Sequence, residues 1–130
     1  MKNPKVWIID DNFLHSKLVG AVLREKKIEC KIFCSVEEIK QCILQKKIES
    51  LPDIILIDLH LDKGERGEEL LNFLKDHLNG EVKYIAFTAE IKTKKELLQL
   101  GFHNVIYKPV TIKKLEVLVE NIVKSSHFSS

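Results

Sequence analysis

The feature that most constrains this chain is a repeated alternation of short apolar runs with segments of helical period. The run at 54–57 is apolar at every position, whereas a half-exposed antiparallel strand would alternate apolar and polar residues. Such a strand needs cover on both faces. Five strand–helix units in a row predict an α/β fold, a doubly wound five-stranded parallel sheet with right-handed crossovers. The predicted strands are 6–9, 28–33, 54–57, 82–87 and 105–107.

Local signals mark the ends of the predicted helices, because capping residues satisfy free backbone groups there. The S/T-x-x-E capping boxes are Ser35 with Glu38 and Thr93 with Glu96, the terminating glycines are Gly80 and Gly101, and Thr111 can cap the last helix. The predicted helices are 13–27, 36–47, 68–78, 94–100 and 112–124, the first with Leu14, Leu18, Ala21 and Val22 on one stripe. We expect one domain over residues 1–124 and a disordered tail over 125–130.

The composition is that of an ordinary globular domain. The 130 residues are 45% hydrophobic and 31% charged, which indicates neither disorder nor a membrane span. A net charge of +2 is too small to argue for nucleic acid. Cys30, Cys34 and Cys42 form no C-x-x-C pair, and the N-terminal apolar stretch is too short for a secretory signal. These features predict reduced thiols and a cytoplasmic protein.

Polar side chains stand where four of the five predicted strands end. Asp10 and Asp11 follow the first strand, and Asp58 follows the third. Thr88 follows the fourth strand, and Lys108 follows the fifth. Each of these is an ordinary turn or cap residue when taken alone. Because ligands bind beyond the carboxyl ends of parallel strands, together they predict a site of three carboxylates, a hydroxyl and an ammonium.

Three clustered carboxylates need positive charge. Two of them about 5 Å apart repel by roughly 3 kcal/mol at an effective dielectric of 20. Proton uptake can relieve this repulsion, but a divalent cation together with Lys108 balances all three charges. Carboxylate oxygens with open water positions suit Mg²⁺. Since Thr88 and Lys108 can each contact a phosphoryl oxygen, the predicted chemistry is phosphoryl transfer to a carboxylate.

The chain resembles a response-regulator receiver domain, the phospho-acceptor half of two-component signalling. The matching motifs are IIDDN, DIILIDLHL, FTAE and YKP, in this order, over about residues 5–124. The resemblance implies the flavodoxin-like (βα)5 fold with strand order 2-1-3-4-5. It also implies a protein that is not an enzyme with a separate substrate, but one that catalyses only its own phosphorylation and dephosphorylation.

The same resemblance implies a role for each residue that contacts the phosphoryl group. Asp58 would be the phosphorylated carboxylate. Thr88 would be a switch hydroxyl that turns toward the phosphoryl group, and Lys108 would hold that group as well. The Lys108–Pro109 peptide bond would be cis, which proline permits at modest cost.

The resemblance also implies a magnesium site. Asp11 and Asp58 would bind Mg²⁺ directly, and the backbone carbonyl of His60 would be a third ligand. Asp10 would act mainly through metal-bound water.

Such a domain would receive its phosphoryl group from a sensor histidine kinase or a histidine phosphotransfer protein. By resemblance, the first helix would dock the donor through Leu14 and Leu18. Only about six residues follow the last predicted helix, so we expect a stand-alone receiver that signals through the face formed by residues 91–124. Its output would be protein contact, onward phosphotransfer or a homodimer, with no direct binding to nucleic acid and no membrane insertion.

Other classes of protein fit the sequence less well. An aspartyl-phosphate phosphatase would carry D-x-D after a buried strand, but here the residues are Asp58, Leu59 and His60. A dinucleotide-binding domain would carry G-x-G-x-x-G after the first strand, and this motif is absent. The alternative that stays open is a receiver-like scaffold that binds its partner without phosphorylation.

The sequence departs from the usual receiver pattern at three places. Val105 stands three residues before Lys108, where receivers usually carry an aromatic switch residue. The loop after Asp58 lacks the frequent proline, and Gly67 comes one residue later than usual. His60 replaces a smaller or amide side chain, and it is either a solvated loop histidine or a ring that hinders or orients hydrolytic water.

Overall fold

The structure, a computed structural model, describes residues 4–59, 67–78, 80–89, 93–108 and 111–128. The strands are β1 (Lys5–Ile9), β2 (Glu29–Phe33), β3 (Ile54–Asp58), β4 (Lys83–Thr88) and β5 (Asn104–Tyr107). The helices are α1 (Phe13–Glu25), α2 (Val36–Leu44), α3 (Gly67–His77), α4 (Lys94–Leu100) and α5 (Ile112–Phe128). The predicted alternation of strands and helices is confirmed. Within the described ranges, no helix is both long enough and apolar enough to cross a membrane.

All of these strands pair in parallel in one sheet, with the order β2-β1-β3-β4-β5. This is the flavodoxin-like order that the resemblance implied. The register aligns the last residues of neighbouring strands. The aligned pairs are Ile9 with Phe33 and with Ile57, Asp58 with Phe87, and Thr88 with Tyr107. The carboxyl ends of the strands therefore form one continuous edge, where a ligand is expected.

Successive side chains along a strand alternate between the two faces of the sheet. Both faces are buried because helices cover each of them. One face packs under α2, α3 and α4, and it includes Trp7 and Ile9 of β1. The other face packs under α1 and α5; we call it the α1–α5 face. The buried strand residues of the α1–α5 face are Val6, Ile8, Ile54, Leu56, Ile85 and Phe87. Every residue of β3 is buried, as its unbroken apolar run predicts.

Both predicted capping boxes form their N-cap hydrogen bond. Ser35 accepts from the Glu38 amide at 3.1 Å, and Thr93 accepts from the Glu96 amide at 3.2 Å. The Glu38 carboxylate reaches back one residue further than a capping box requires, to the amide of Cys34. These bonds satisfy backbone donors that the first turn of each helix leaves free.

Two helix ends differ from the sequence prediction by three residues or more. α2 ends at Leu44 instead of residue 47, because the chain turns at Lys46, which adopts left-handed backbone with φ 55°. α5 continues through Phe128 instead of ending at Lys124. No Gly or Pro follows Lys124 to break the helix. Residues 125–128, predicted to belong to a disordered tail, are therefore helical; the domain boundary at residue 124 stays a prediction.

The apolar stripe in the sequence of α1 is not the buried face of that helix. Leu14 is 78% exposed and Leu18 is 46% exposed. The buried residues are Ser16, Val19, Gly20 and Leu23. Gly20 lets the helix come close to β2, since a Cβ there would lie 3.2 Å from Ile32 Cδ1. The close packing of α1 turns two leucines toward solvent, near the carboxyl edge of the sheet.

Candidate functional site

Three carboxylates meet at the carboxyl edge of the sheet, as the strand ends predict. Asp10 and Asp11 follow β1, and Asp58 ends the neighbouring strand β3. One carboxylate oxygen of each residue lies within 4.8 Å of the corresponding oxygens of the other two. Asp10 and Asp58 are buried, whereas Asp11 is partly exposed. Asp11 therefore marks the accessible side of the cluster.

Asp10 is held by donors from the start of α1. Its Oδ1 accepts a hydrogen bond from the Asn12 amide at 2.9 Å, and its Oδ2 lies 2.5 Å from Nδ1 of His15. The Asp10 amide donates to the Phe33 carbonyl at 3.1 Å, which fixes its backbone against β2. Asn12 also caps α1 by accepting from the His15 amide. The turn from β1 into α1 thus provides the donors that a buried carboxylate needs.

Lys108 follows β5, which lies on the other side of β4 from the strand that carries Asp58. Its ammonium brings positive charge to the acids. Its Nζ lies 3.0 Å from Asp58 Oδ2 and 3.9 Å from Asp10 Oδ2. The Lys108 amide donates to the Thr88 carbonyl at 2.8 Å, so the pairing of β5 with β4 continues through this residue. The lysine side chain is 22% exposed. An anion that approaches from solvent can therefore contact the ammonium while the ammonium still contacts Asp58.

Thr88 is the last residue of β4 and is fully buried. Its strand lies between the strand that carries Asp58 and the strand that leads to Lys108. The Leu59 amide donates to the Phe87 carbonyl at 3.0 Å, so β3 and β4 stay aligned up to Thr88. A hydroxyl at this point of the edge can donate a hydrogen bond to a ligand.

Gly67 lets α3 begin directly against the strand that carries Asp58. A Cβ on Gly67 would lie 2.9 Å from the Asp58 carbonyl oxygen and 2.8 Å from Leu59 Cδ2. A glycine is required here because the nearest atoms include backbone that cannot move away cheaply. Sequence reasoning placed Gly67 in the loop; it is instead the residue that sets how closely α3 approaches the site.

Two predictions about the site's ligands and backbone fall on residues outside the described ranges. These are the role of the His60 carbonyl as a metal ligand and the cis peptide bond before Pro109. Val105, the residue in place of the switch aromatic, is half-buried on β5 and packs against the core under α2, α3 and α4.

Sequence reasoning missed one residue of the site, His15. The histidine lies in the first turn of α1, four positions after Asp11, and helix side chains lean toward the helix N-terminus. Its side chain is only 15% exposed. The ring packs edge-to-face on Phe87 with 5.6 Å between ring centroids. A histidine one helical turn after an acidic pair was the available signal.

The donor set fits a magnesium ion. Because the three oxygens lie within 4.8 Å of one another, each pair of ionised carboxylates would repel by roughly 3 kcal/mol or more at an effective dielectric of 20, and the Lys108 ammonium offsets only part of this. A carboxylate has about four lone-pair positions, so a carboxylate of this cluster can accept a hydrogen bond from the protein and also offer an oxygen lone pair to a cation. Hard oxygen ligands on a partly open surface suit Mg²⁺, which retains several waters.

The chain is similar in sequence and fold to known receivers. The sequence profile of the response regulator receiver domain matches residues 6–120. The chain is similar to the receiver domain of Francisella response regulator 1452, with 26% identity, a TM-score of 0.77, and coverage of 95% of this chain and 99% of that one.

Two further solved structures, less than 25% identical, share the fold. They are a two-component response regulator from Clostridium difficile (21% identity, TM-score 0.77, 94% of this chain and 97% of that one) and a response regulator receiver domain protein from Clostridium thermocellum (18%, 0.77, 98% and 99%). No curated protein matches the chain. Because the family profile covers most of the sequence and the fold agrees, this protein belongs to the response regulator receiver domains.

Proposed function

We propose that this domain accepts a phosphoryl group on Asp58 from a sensor histidine kinase or a histidine phosphotransfer protein. Receiver domains are the phospho-acceptors of two-component signalling. Of the two buried acids, Asp58 is closer to Lys108, with its Oδ2 at 3.0 Å from Nζ against 3.9 Å for Asp10 Oδ2. That contact carries the assignment, because attack on phosphorus and compensation of the phosphoryl charge must occur at the same carboxylate.

In the proposed reaction, a carboxylate oxygen of Asp58 attacks the phosphorus of a phosphohistidine. An O–P bond forms as the P–N bond breaks, and the leaving imidazole takes up a proton. Lys108 neutralises charge on a phosphoryl oxygen, and the Thr88 hydroxyl donates a hydrogen bond to another. Water later hydrolyses the aspartyl phosphate, which releases inorganic phosphate and restores Asp58.

The proposed cofactor is Mg²⁺, held directly by Asp11 and Asp58, with the His60 carbonyl as a third ligand and Asp10 acting through water. Bound there, the ion would neutralise charge on the carboxylate and the phosphoryl oxygens. The chain itself contributes oxygens that are fixed before the partner arrives. The backbone of β3 holds Asp58, and the first turn of α1 holds Asp10.

We propose α1 as the docking surface for the phosphoryl donor. Phe13 is 62% exposed, and Leu14 and Leu18 are exposed as well. All three lie within two helical turns of Asp11. Exposed apolar side chains on one helix beside a site suit contact with a partner helix.

We propose that the signal passes to a downstream protein through the 91–124 face. The described part of this face exposes Leu98, Ile112 and Val117. It also contains a groove of about 440 Å³ between β5 and α5, whose lining includes Val105 and Val117. A homodimer through this face is a second route for output. We propose that contact with the downstream protein and formation of the homodimer both occur in the cytoplasm. The exposed free thiol of Cys34 would stay reduced there.

Intact-mass spectrometry after incubation with acetyl phosphate and Mg²⁺ tests the proposed function. We expect the wild-type protein to gain one phosphoryl group and to lose it slowly, and Asp58→Asn to gain none. Asp76→Asn, which changes an exposed acid on α3, is the matched control and should behave like the wild type. No gain of mass in the wild type would favour the scaffold alternative, and rapid turnover of small phosphate esters would indicate a phosphatase.

A further inference from the structure

We propose that His15 is a positioning residue of the magnesium site, which fixes the Asp10 carboxylate and keeps Lys108 on Asp58. The proposal rests on the proposed function, because it concerns the same acidic cluster. It follows from three features of the site: the hydrogen bond between His15 and Asp10, the donor that each Asp10 oxygen has on α1 or the turn before it, and the unequal distances from Lys108 to the two buried acids.

The contact between His15 and Asp10 has a defined direction. The two atoms, His15 Nδ1 and Asp10 Oδ2, are 2.5 Å apart, so a hydrogen atom must lie between them. We assign the Nδ1–H of His15 as the donor, because a carboxylate that serves a cation site must accept hydrogen bonds. The other ring nitrogen, Nε2, is buried and has no hydrogen-bond partner in the described part of the chain. The polar interaction of the ring with the site thus runs through Nδ1.

Both oxygens of Asp10 are engaged by donors on α1 and the turn before it. Oδ1 accepts from the Asn12 amide and Oδ2 accepts from His15. Rotation of the carboxylate would break both bonds, and Asp10 is fully buried, so water cannot easily replace them. His15 and Asn12 together therefore fix the plane of this carboxylate relative to Asp11 and Asp58.

The same hydrogen bond affects the partner of Lys108. Its Nζ lies 3.0 Å from Asp58 Oδ2 but 3.9 Å from Asp10 Oδ2, the oxygen that His15 occupies. Without the histidine donor, a buried carboxylate oxygen would lack its closest donor, and the ammonium would be drawn toward it. His15 thus leaves Lys108 available to Asp58, the proposed phosphoryl acceptor.

The location of His15 explains why a histidine serves here. Asp10 continues the alternation of Val6 and Ile8, so its side chain is on the α1–α5 face of the sheet, under α1. The ring of His15 fills space against Phe87 on that face. A leucine could fill the same space, but only a side chain with an N–H at the Nδ1 position can also donate to Asp10.

Three substitutions of His15 separate the effect of its hydrogen-bond donor from the effect of its packing. His15→Leu fills the space without a donor. His15→Asn places an amide nitrogen where Nδ1 lies, and His15→Gln places it one bond further along, near Nε2. For each folded variant, binding of Mg²⁺ alone is followed through the backbone amide resonances of Asp11 and Asp58. In the metal-free wild type, long-range proton–nitrogen spectra identify which ring nitrogen of His15 carries the hydrogen.

We expect the hydrogen on Nδ1 in the metal-free wild type. The dissociation constant for Mg²⁺ should rise about tenfold in His15→Leu and His15→Gln, and His15→Asn should recover most of the loss. If His15→Leu does not fold, the comparison of Asn with Gln still tests the donor.

Three results would overturn the proposal. They are a hydrogen on Nε2 alone, unchanged Mg²⁺ affinity in His15→Leu and His15→Gln, or an equal loss in His15→Asn and His15→Gln. Each of them leaves the proposed function intact if the wild type binds Mg²⁺. A wild-type protein that does not bind Mg²⁺ would refute the proposed metal site, and with it the role of His15.

Discussion

Lys108 Nζ lies 3.0 Å from Asp58 Oδ2, although the two residues are 50 positions apart in the sequence. The contact exists because β4 alone separates β3 from β5, so both strand ends open onto the same edge. The ion pair offsets part of the repulsion among the three acids. It also means that a phosphoryl group on Asp58 would form within reach of an ammonium.

Lys108→Met is expected to destabilise the metal-free domain. Methionine keeps most of the volume of lysine but leaves the buried carboxylate of Asp58 without this ammonium. We expect the free energy of unfolding to fall by about 1–2 kcal/mol, allowing for the partial exposure of the lysine. Urea titration without divalent ions measures it. Lys113→Met, on the exposed surface of α5, is the control, and equal stability of the two variants would contradict the ion pair.

Mg²⁺ is expected to stabilise the wild-type domain against thermal unfolding. An ion that binds only the folded state adds about 1.4 kcal/mol when its concentration is ten times the dissociation constant. Asp11→Asn should lose most of this gain, because Asp11 is the accessible carboxylate of the cluster. Melting curves with Mg²⁺ and with a chelator measure the difference. If Mg²⁺ raised the melting temperature of Asp11→Asn as much as that of the wild type, the ion would bind elsewhere.

Gly67→Ala is expected to lower the free energy of unfolding by about 1–3 kcal/mol. The new Cβ would meet the Asp58 carbonyl oxygen, which can move only if β3 or α3 shifts. Gly20→Ala is the matched control. Its nearest atom is the flexible end of Ile32, and alanine gains about 0.5–1 kcal/mol over glycine inside a helix. Denaturant titration should rank Gly20→Ala at or above the wild type and Gly67→Ala below it; the reverse order would contradict the packing described for α3.

The cysteines are expected to differ in reactivity. Burial raises the pKa of the Cys30 thiol to about 11, with Arg24 acting in the opposite direction. Cys30 is therefore a neutral thiol and a poor nucleophile at neutral pH, whereas Cys34 is exposed. A thiol reagent should label Cys34 first in the native protein, as peptide mapping would reveal. Rapid labelling of Cys30 at neutral pH would contradict its burial.

The same shift predicts how stability depends on pH. The unfolded chain releases the Cys30 proton near the ordinary pKa of 9.0, whereas the folded chain holds it to about pH 11. Between these values the folded state binds more protons, so the free energy of unfolding should fall as pH rises. Denaturant titrations at pH 9 and pH 11 measure the decrease, which should be smaller in Cys30→Ala. An equal decrease in the wild type and in Cys30→Ala would mean that titratable groups other than Cys30 cause the loss of stability.

The strands and the acidic cluster could be predicted from the sequence because their signals are local. The apolar run at 54–57 requires burial on both faces, and β3 is buried throughout. Carboxyl ends of parallel strands share one edge, so a parallel sheet places Asp10, Asp11 and Asp58 at the same edge. Their convergence also requires that β1 lies next to β3. The strand order itself does not follow from these patterns; it was implied by the family resemblance, and the structure confirms it.

The buried face of α1 and the contact of His15 with Asp10 depend on how distant parts of the chain pack, so they could not be predicted from local signals. The sequence of α1 shows a leucine stripe, but its buried face contains Ser16 and Gly20, whose hydrophobic signal is weak. α1 comes close to β2 at Gly20, where a Cβ would lie 3.2 Å from Ile32 Cδ1. His15 Nδ1 lies 2.5 Å from Asp10 Oδ2, and no local pattern in the sequence fixes such a distance.

The most direct test of the account is to locate the phosphoryl group. The protein is incubated with acetyl phosphate and Mg²⁺, the acyl phosphate is reduced with borohydride, and the modified residue is identified by tandem mass spectrometry. The account predicts modification at Asp58, at a level that falls when Mg²⁺ is removed. Modification at Asp10 or Asp11, or none at any residue, would contradict it.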